Sequence, residues 1–216
     1  LFFSAMTIDQ PAKWVTLLRL GAWHAGKHRL PDSDVFLIGG SNPIASHLLY
    51  CGLFTTPLAE LKAAKERGMK LIVIDPRRSE TAHFADIVLQ PYPGEDPTVV
   101  AGLIRIILEK GWEDKAFCAQ YTEGLDALRR GVASFTPAYV AKRAGVPADQ
   151  LHAAAEMFSQ GGRRGAVWTG TGPNMASHAN LAEHLYECLN VICGRFYREG
   201  DRIMNPGVLV PRTELR

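Results

Sequence analysis

The sequence predicts an α/β fold: a mainly parallel sheet with helices on both faces. Three observations predict it. Short runs of Leu, Ile and Val alternate along the chain with longer segments of helical period. The run KLIVIDP (70–76) is apolar without interruption, as a strand buried on both faces must be. Glycine or proline clusters close the strand runs, where the chain has to turn out of the sheet.

Taken in order, DVFLIGG (34–40) is a β-rich run bounded by Asp and Gly, followed by a Ser-Asn-Pro turn and a helix starting near Pro43. PLAELKAAKERG (57–68) puts Leu58, Leu61 and Ala64 on one helical face and ends at a glycine. KLIVIDP is the second main strand, and DIVLQPYPG (86–94) a third, ending in Pro-Gly. DPTVVAGLIRIILEKG (96–111) is a helix with Asp at the N-cap, Pro next and Gly at its close. From 112 to 160 come four shorter helical pieces, each closed by Gly, Pro or a polar cluster. RGAVWTGTG (164–172) returns to strand and HANLAEHLYECLNVICG (178–194) to an apolar-faced helix. This predicts one domain over 1–216, with a strand–helix core at about 34–111 and 164–200 and a helical insertion at about 112–160.

Composition narrows the function. The 216 residues are 47% apolar and 21% charged, and 24 basic against 22 acidic residues leave a net charge of +2. That balance makes no case for nucleic acid, and no apolar run approaches the ~20 residues of a membrane span. Cys51, Cys118, Cys188 and Cys193 are scattered without a CxxC pair. They read as free thiols in a reducing compartment, not as zinc or iron–sulfur ligands. The chain begins Leu-Phe-Phe without a signal-peptide pattern, so a piece of a longer protein is expected; the compartment stays open, with the cytoplasm favoured.

If the strands are parallel, four polar or turn-forming strand ends lie along one edge of the sheet: Gly39-Gly40-Ser41-Asn42, Asp75-Pro76-Arg77, Pro93-Gly94-Glu95-Asp96 and Gly170-Thr171-Gly172. Such an edge is where α/β sheets bind ligands. The glycines at 39 and 40 admit a phosphate close to the backbone, or they merely form a tight turn capped by Asn42. Asp75 stands where dinucleotide folds bind a ribose, with Arg77 and Arg78 facing a phosphate or pairing with Glu80; the alternative is a solvated surface cluster. Asp96 is either the N-cap before Pro97 or an acid that accepts two hydrogen bonds from guanine, which adenine has no donor pair to make. His24 and His28, four apart in a helical reading, lack the pattern of a metal site, and no metal ligand is assigned. His178 and His184 read as structural or surface residues, with approach to a ligand the alternative for His178, which follows a glycine turn.

Together these strand ends resemble the molybdopterin oxidoreductase family, which includes dimethyl sulfoxide reductase, formate dehydrogenase and periplasmic nitrate reductase. The stretches DVFLIGGSNPIASH, KLIVIDPRRSETAHFADIVLQPYPGEDPTVVAGL, GVPADQLHAAAEMF and GTGPNMASHANLAEHLYECLNVICGR carry the likeness, in family order, from about Thr7 to Gly207. The resemblance implies a Rossmann-like domain from the catalytic subunit of an oxidoreductase that uses bis(molybdopterin guanine dinucleotide) with molybdenum or tungsten. Gly40, Ser41 and Asn42 would line the pyrophosphate and pterin approach, Asp75 and Arg77 the nucleotide end, and Gly94 and Asp96 the guanine. Gly170 and Gly172 would form a second glycine turn facing the cofactor.

The family's N-terminal cysteine motif for a [4Fe-4S] cluster and its C-terminal barrel-like domain are not in this sequence. Both are expected in other parts of a longer protein, so this stretch alone is expected to be inactive. Ser4 and Asp9 lie near the family's metal-ligand position, but neither is assigned. Partners implied are a small-molecule substrate, the remaining domains of the same chain and electron-transfer subunits. Two other readings remain. One is an electron-transfer or scaffold subunit that keeps the fold without molybdenum, like the large iron–sulfur subunit of NADH dehydrogenase. The other is an NAD-binding domain, which the missing GxGxxG disfavours, as do the 35 residues from Gly40 to Asp75, against about 20 in that fingerprint.

Overall fold

The structure, a computed structural model, describes residues 10–23, 25–49, 52–53 and 56–201. Its strands are β1 (Val35–Gly39), a two-stranded antiparallel ribbon of β2 (Leu48–Leu49) and β3 (Gly52–Leu53), then β4 (Lys70–Ile74), β5 (Ile87–Leu89) and β6 (Gly165–Thr169). The main sheet runs β5-β4-β1-β6, with every pair parallel. From β1 the chain steps outward to β4 and β5, then returns past β1 to form β6. Strand order therefore reverses between β1 and β6, and the four strand ends share one edge, as the parallel reading required.

The helices are α1 (Pro11–Leu20), one turn at α2 (Pro43–Ser46), α3 (Pro57–Glu66), α4 (Asp96–Lys110), α5 (Lys115–Tyr121), α6 (Leu125–Val132), α7 (Pro137–Ala144), α8 (Ala148–Gln160), α9 (Thr171–Met175) and α10 (Ala179–Ile192). The sheet is buried on both sides because its strands carry apolar residues toward both faces, not at alternate positions only. Val35, Leu37, Ile72, Ile74 and Val167 pack with α4, α8 and α10. Phe36, Ile38, Leu71 and Val73 pack with Leu61 and Ala64 of α3 on the opposite face.

Helix α4 is the centre of the larger core. It starts with Pro97 in its first turn and stops at Gly111, whose left-handed backbone (φ 67°) returns an N–H to Ile107 O. A Cβ on Gly102 would stand 2.7 Å from Val140 of α7 and 3.0 Å from Leu151 of α8, so these helices cross where α4 has no side chain. The N-cap is Glu95, and Asp96 is the first helical residue, one place later than the capping reading expected. Strand β5 is shorter than its sequence run because Pro91 and Pro93 have no N–H to donate to a ladder. On the flank of β6 away from β1, Asn190 of α10 accepts the Val167 N–H at 2.7 Å, which satisfies an amide the sheet leaves unpaired.

The opposite edge of the sheet is held by charge. Arg164 binds Asp34 at 2.9 Å, joining the starts of β6 and β1. Arg195, 1% exposed, donates to the carbonyls of Phe158, Gly162 and Arg163 and so closes the C-terminal end of α8. His28 is fully buried beside this edge, with Nδ1 3.1 Å from Gly165 O. It lies outside any helix, next to the isolated bridge between Lys27 and Phe196, contrary to the helical pairing with His24. His24 and Cys51 lie outside the described residues, whereas Cys118, Cys188 and Cys193 are free and buried.

Arg195→Met should lower unfolding stability by about 3 kcal/mol, because three carbonyls lose a charged donor at once. Arg195→Lys should recover little, since an ammonium has no planar fork to spread over them. Urea unfolding of the three proteins checks this; a loss under about 1 kcal/mol for Arg195→Met would contradict it.

Candidate functional site

The reversal point between β1 and β6 is built from two glycine turns packed against each other. Gly170 donates to Gly39 O at 2.9 Å and Gly172 to Gly40 O at 3.3 Å. A Cβ on Gly40 would stand 2.3 Å from Pro173 Cδ, and one on Gly170 2.5 Å from Gly40 O. Gly40 also has φ 54°, in the left-handed region. The space these glycines leave is thus filled by the opposite turn. Of the two readings open for these glycines, phosphate approach or a tight turn, the contact itself belongs to the turn: two loops meet there. Open to a ligand are the turn surfaces: Gly40, Ser41 and Asn42 are half-buried, and Gly172 is exposed. Helix α2 spans four residues, so an anion there would meet individual amides and not the dipole of a long helix.

Asn42 makes no side-chain cap to α2. It reaches across to the loop after β4, where its Oδ1 accepts from Thr81 Oγ1 at 2.7 Å and its Nδ2 donates to Glu80. This brace joins two strand ends and holds the Glu80 carboxyl below its usual range, after the stronger effect of a backbone hydrogen bond. Asp75, 6% exposed, accepts the Arg77 N–H at 2.8 Å and so shapes its own turn, while the side chains of Arg77 and Arg78 are exposed. Gly94 (φ 89°) forms the turn before α4, with open space where a Cβ would go.

Asp96 completes the edge. It is half-buried and accepts the Tyr186 hydroxyl at 2.8 Å. Burial pushes its carboxyl above the usual range; the Tyr186 bond and a backbone bond oppose that, and the charge of Asp75 adds to it. No Lys, Arg or His pairs with it among the described residues. Tyr186 is 1% exposed, and burial followed by the Asp96 charge raises its phenol well above the ordinary range.

A second polar cluster lies beside β6. Asn174 of α9 donates to Gly170 O at 2.9 Å and to Glu183 of α10. Lys13 of α1 donates to Thr169 O at 2.6 Å and stands 4.7 Å from the Trp168 ring centre. Burial raises the Glu183 carboxyl, against hydrogen bonds from Thr169 and Asn174 and the Lys13 charge. An apolar groove of about 500 Å³ runs between α4, α6 and α10, and Pro97, next to Asp96, is among its lining residues.

The structure therefore brings Gly40, Ser41, Asn42, Asp75, Arg77, Gly94, Asp96, Gly170 and Gly172 to one edge. Sequence reasoning missed Tyr186, Asn174 and Glu183, which act through partners on other elements. Ser4 and Asp9 lie outside the described residues, and among those described no group of three or more His, Cys, Asp or Glu is placed to hold a metal. Nor is any described helix long and apolar enough to cross a membrane.

No family model matches the chain. It is 31% identical over 174 residues to the F420-dependent formate dehydrogenase subunit alpha of Methanocaldococcus jannaschii, covering 81% of this chain and 24% of that protein. It is 29% identical over 154 residues to the thiosulfate reductase molybdopterin-containing subunit PhsA of Salmonella typhimurium, covering 71% of this chain and 20% of that one. The solved structure of acetylene hydratase from Pelobacter acetylenicus superposes with a TM-score of 0.76 at 28% identity, over 90% of this chain and 26% of the other. The chain thus spans about a quarter of the length of such proteins.

Gly40→Ala should cost about 2–4 kcal/mol, from left-handed strain plus the collision with Pro173. Gly94→Ala meets only the strain and should cost about 1–2 kcal/mol. Denaturant unfolding of both variants checks the order, and equal losses would mean the two turns do not pack as described.

Proposed function

We propose, on the premise that this chain is a homologue of one α/β segment of the molybdopterin oxidoreductases, that its strand-end edge binds one molybdopterin guanine dinucleotide. The parent protein would be a molybdenum or tungsten oxidoreductase, and when bound the cofactor would supply two-electron redox chemistry at its metal. This chain's own residues bind and orient.

Asp96 carries the reading. A half-buried carboxylate without a cation needs neutral donors to stay ionised. The ring N–H and exocyclic amine of guanine are two such donors on one edge, and adenine has no equivalent pair. The rest of the edge fits the remainder of such a molecule. Asp75 offers an acceptor to a ribose hydroxyl, and exposed Arg77 offers charge to a phosphate. Backbone N–H groups of Ser41 and Asn42 are candidate pyrophosphate donors, with the Gly40, Gly170 and Gly172 turns setting their position and Gly94 setting that of Asp96.

A [4Fe-4S] cluster, a small-molecule substrate and electron-transfer subunits would belong to other parts of the assembly. Exposed Trp14 and Leu18 on α1 and Leu181 on α10 support contact with further domains of a longer polypeptide.

In the full-length enzyme, Asp96→Asn keeps the side chain's shape but replaces one acceptor with a donor that faces guanine's donors. Loss of a charge-assisted bond is worth about 1.5–3 kcal/mol, so cofactor affinity should fall roughly 10- to 100-fold. Metal content and the guanine nucleotide released per protein should both drop; unchanged values would overturn the guanine reading.

A further inference from the structure

Three elements meet at the Tyr186 hydroxyl. It donates to Asp96 Oδ1 at the start of α4, and its ring comes from α10. The end of β1 supplies room: a Cβ on Gly39 would lie 2.6 Å from the phenol oxygen and 2.7 Å from Cζ. The missing side chain of Gly39 is therefore spent on Tyr186, not on a ligand. We infer that Tyr186 is a positioning residue for base recognition, holding the Asp96 carboxylate ionised and in one orientation for a guanine edge. The inference rests on the guanine dinucleotide reading above and deepens it.

The surrounding charges make the tyrosine necessary. Asp75, at the end of β4, faces both Asp96 and Tyr186, and Glu183 faces Tyr186 from the same helix. All of these groups are acidic, and no cation acts on Asp96 among the described residues. With its own proton held far above the ordinary range, the phenol stays a donor at any physiological pH. A permanent donor selects the acceptor form of Asp96, the form that two guanine N–H groups require. A protonated carboxyl would present one donor of its own to that edge and lose the match.

The test uses the full-length apoprotein with GDP as probe and IDP and ADP as comparisons, each titrated from pH 4.5 to 8. Unaltered protein should bind GDP over IDP, which lacks the amine, and IDP over ADP. GDP affinity should fall on acidification as Asp96 takes up a proton. Tyr186→Phe keeps the ring and removes the donor. It should weaken GDP binding about tenfold at neutral pH and move the acid fall to higher pH.

A purely structural role for Tyr186 would lower affinity without moving the pH profile, and that result overturns the inference. Protein that binds GDP and ADP equally would overturn the underlying guanine reading instead. Should Tyr186→Phe fail to fold, 3-fluorotyrosine placed at 186 keeps the hydroxyl and makes it more acidic. The acid fall should then move to lower pH, and an unmoved profile counts against the inference.

Discussion

The close approach of two glycine turns at the ends of β1 and β6 constrains much of what surrounds it. Gly170 and Gly172 donate to carbonyls of Gly39 and Gly40, and neither turn has room for a side chain at the contact. This backbone contact closes the gap that opens where strand order reverses. It also fixes where β6 stops, because the chain leaves the ladder at Gly170 and turns at once into α9. Helix α9 brings Asn174 back onto Gly170 O and delivers α10, which carries Glu183, Tyr186 and Asn190 to three separate points on the sheet. Substituting one glycine would displace a loop, a helix and the acid at the start of α4 together.

The chemistry of the edge follows from which polar groups the fold leaves short of partners. At the opposite end of the sheet, carboxylates meet arginines: Asp34 with Arg164, Asp201 with Arg163, Asp114 with Arg198. At the strand-end edge, Asp96 meets a phenol, and the nearest charge acting on it is another acid. The asymmetry is informative because buried carboxylates are costly unless paired. At the strand-end edge Glu95 has its arginine, Arg143, but Asp96 beside it has none among the described residues, and the exposed Arg77 and Arg78 stand at the end of β4. The proposed guanine dinucleotide would bring base donors to Asp96 and phosphate charge to the arginines.

Much of the fold was legible because its signals are local. The unbroken apolar runs of β1 and β4, and the Pro and Gly bounding α4, are consequences of burial and backbone geometry that need no knowledge of distant residues. The edge was legible as a set of strand ends, since parallel pairing alone places them together. What the sequence concealed was pairing at long range. Tyr186 lies ninety residues from Asp96 in the chain and looks like any aromatic on an apolar helix face. Gly39 and Gly40 look alike, yet one makes room for a phenol and the other for a proline. Asn42 has the residue type of a cap but spends its side chain on Thr81 and Glu80.

The two ends of the sheet also respond to acid in opposite senses. Asp201 is held down to about 2 by its bond to Arg163, so its folded value lies below its unfolded one. Its contribution is present above the unfolded value and is lost as pH falls toward the folded one. Asp96 is shifted the other way, chiefly by burial. Its favourable contribution belongs to the protonated state and is lost as pH rises through its folded value. In its ionised form Asp96 therefore works against the fold that holds it, and Tyr186 offsets only part of that cost. A ligand that donates to the carboxylate stabilises the native state through mass action as well as through contact. On the proposed reading, binding and folding would be coupled at the start of α4, where the acid, the phenol and the glycine of β1 converge.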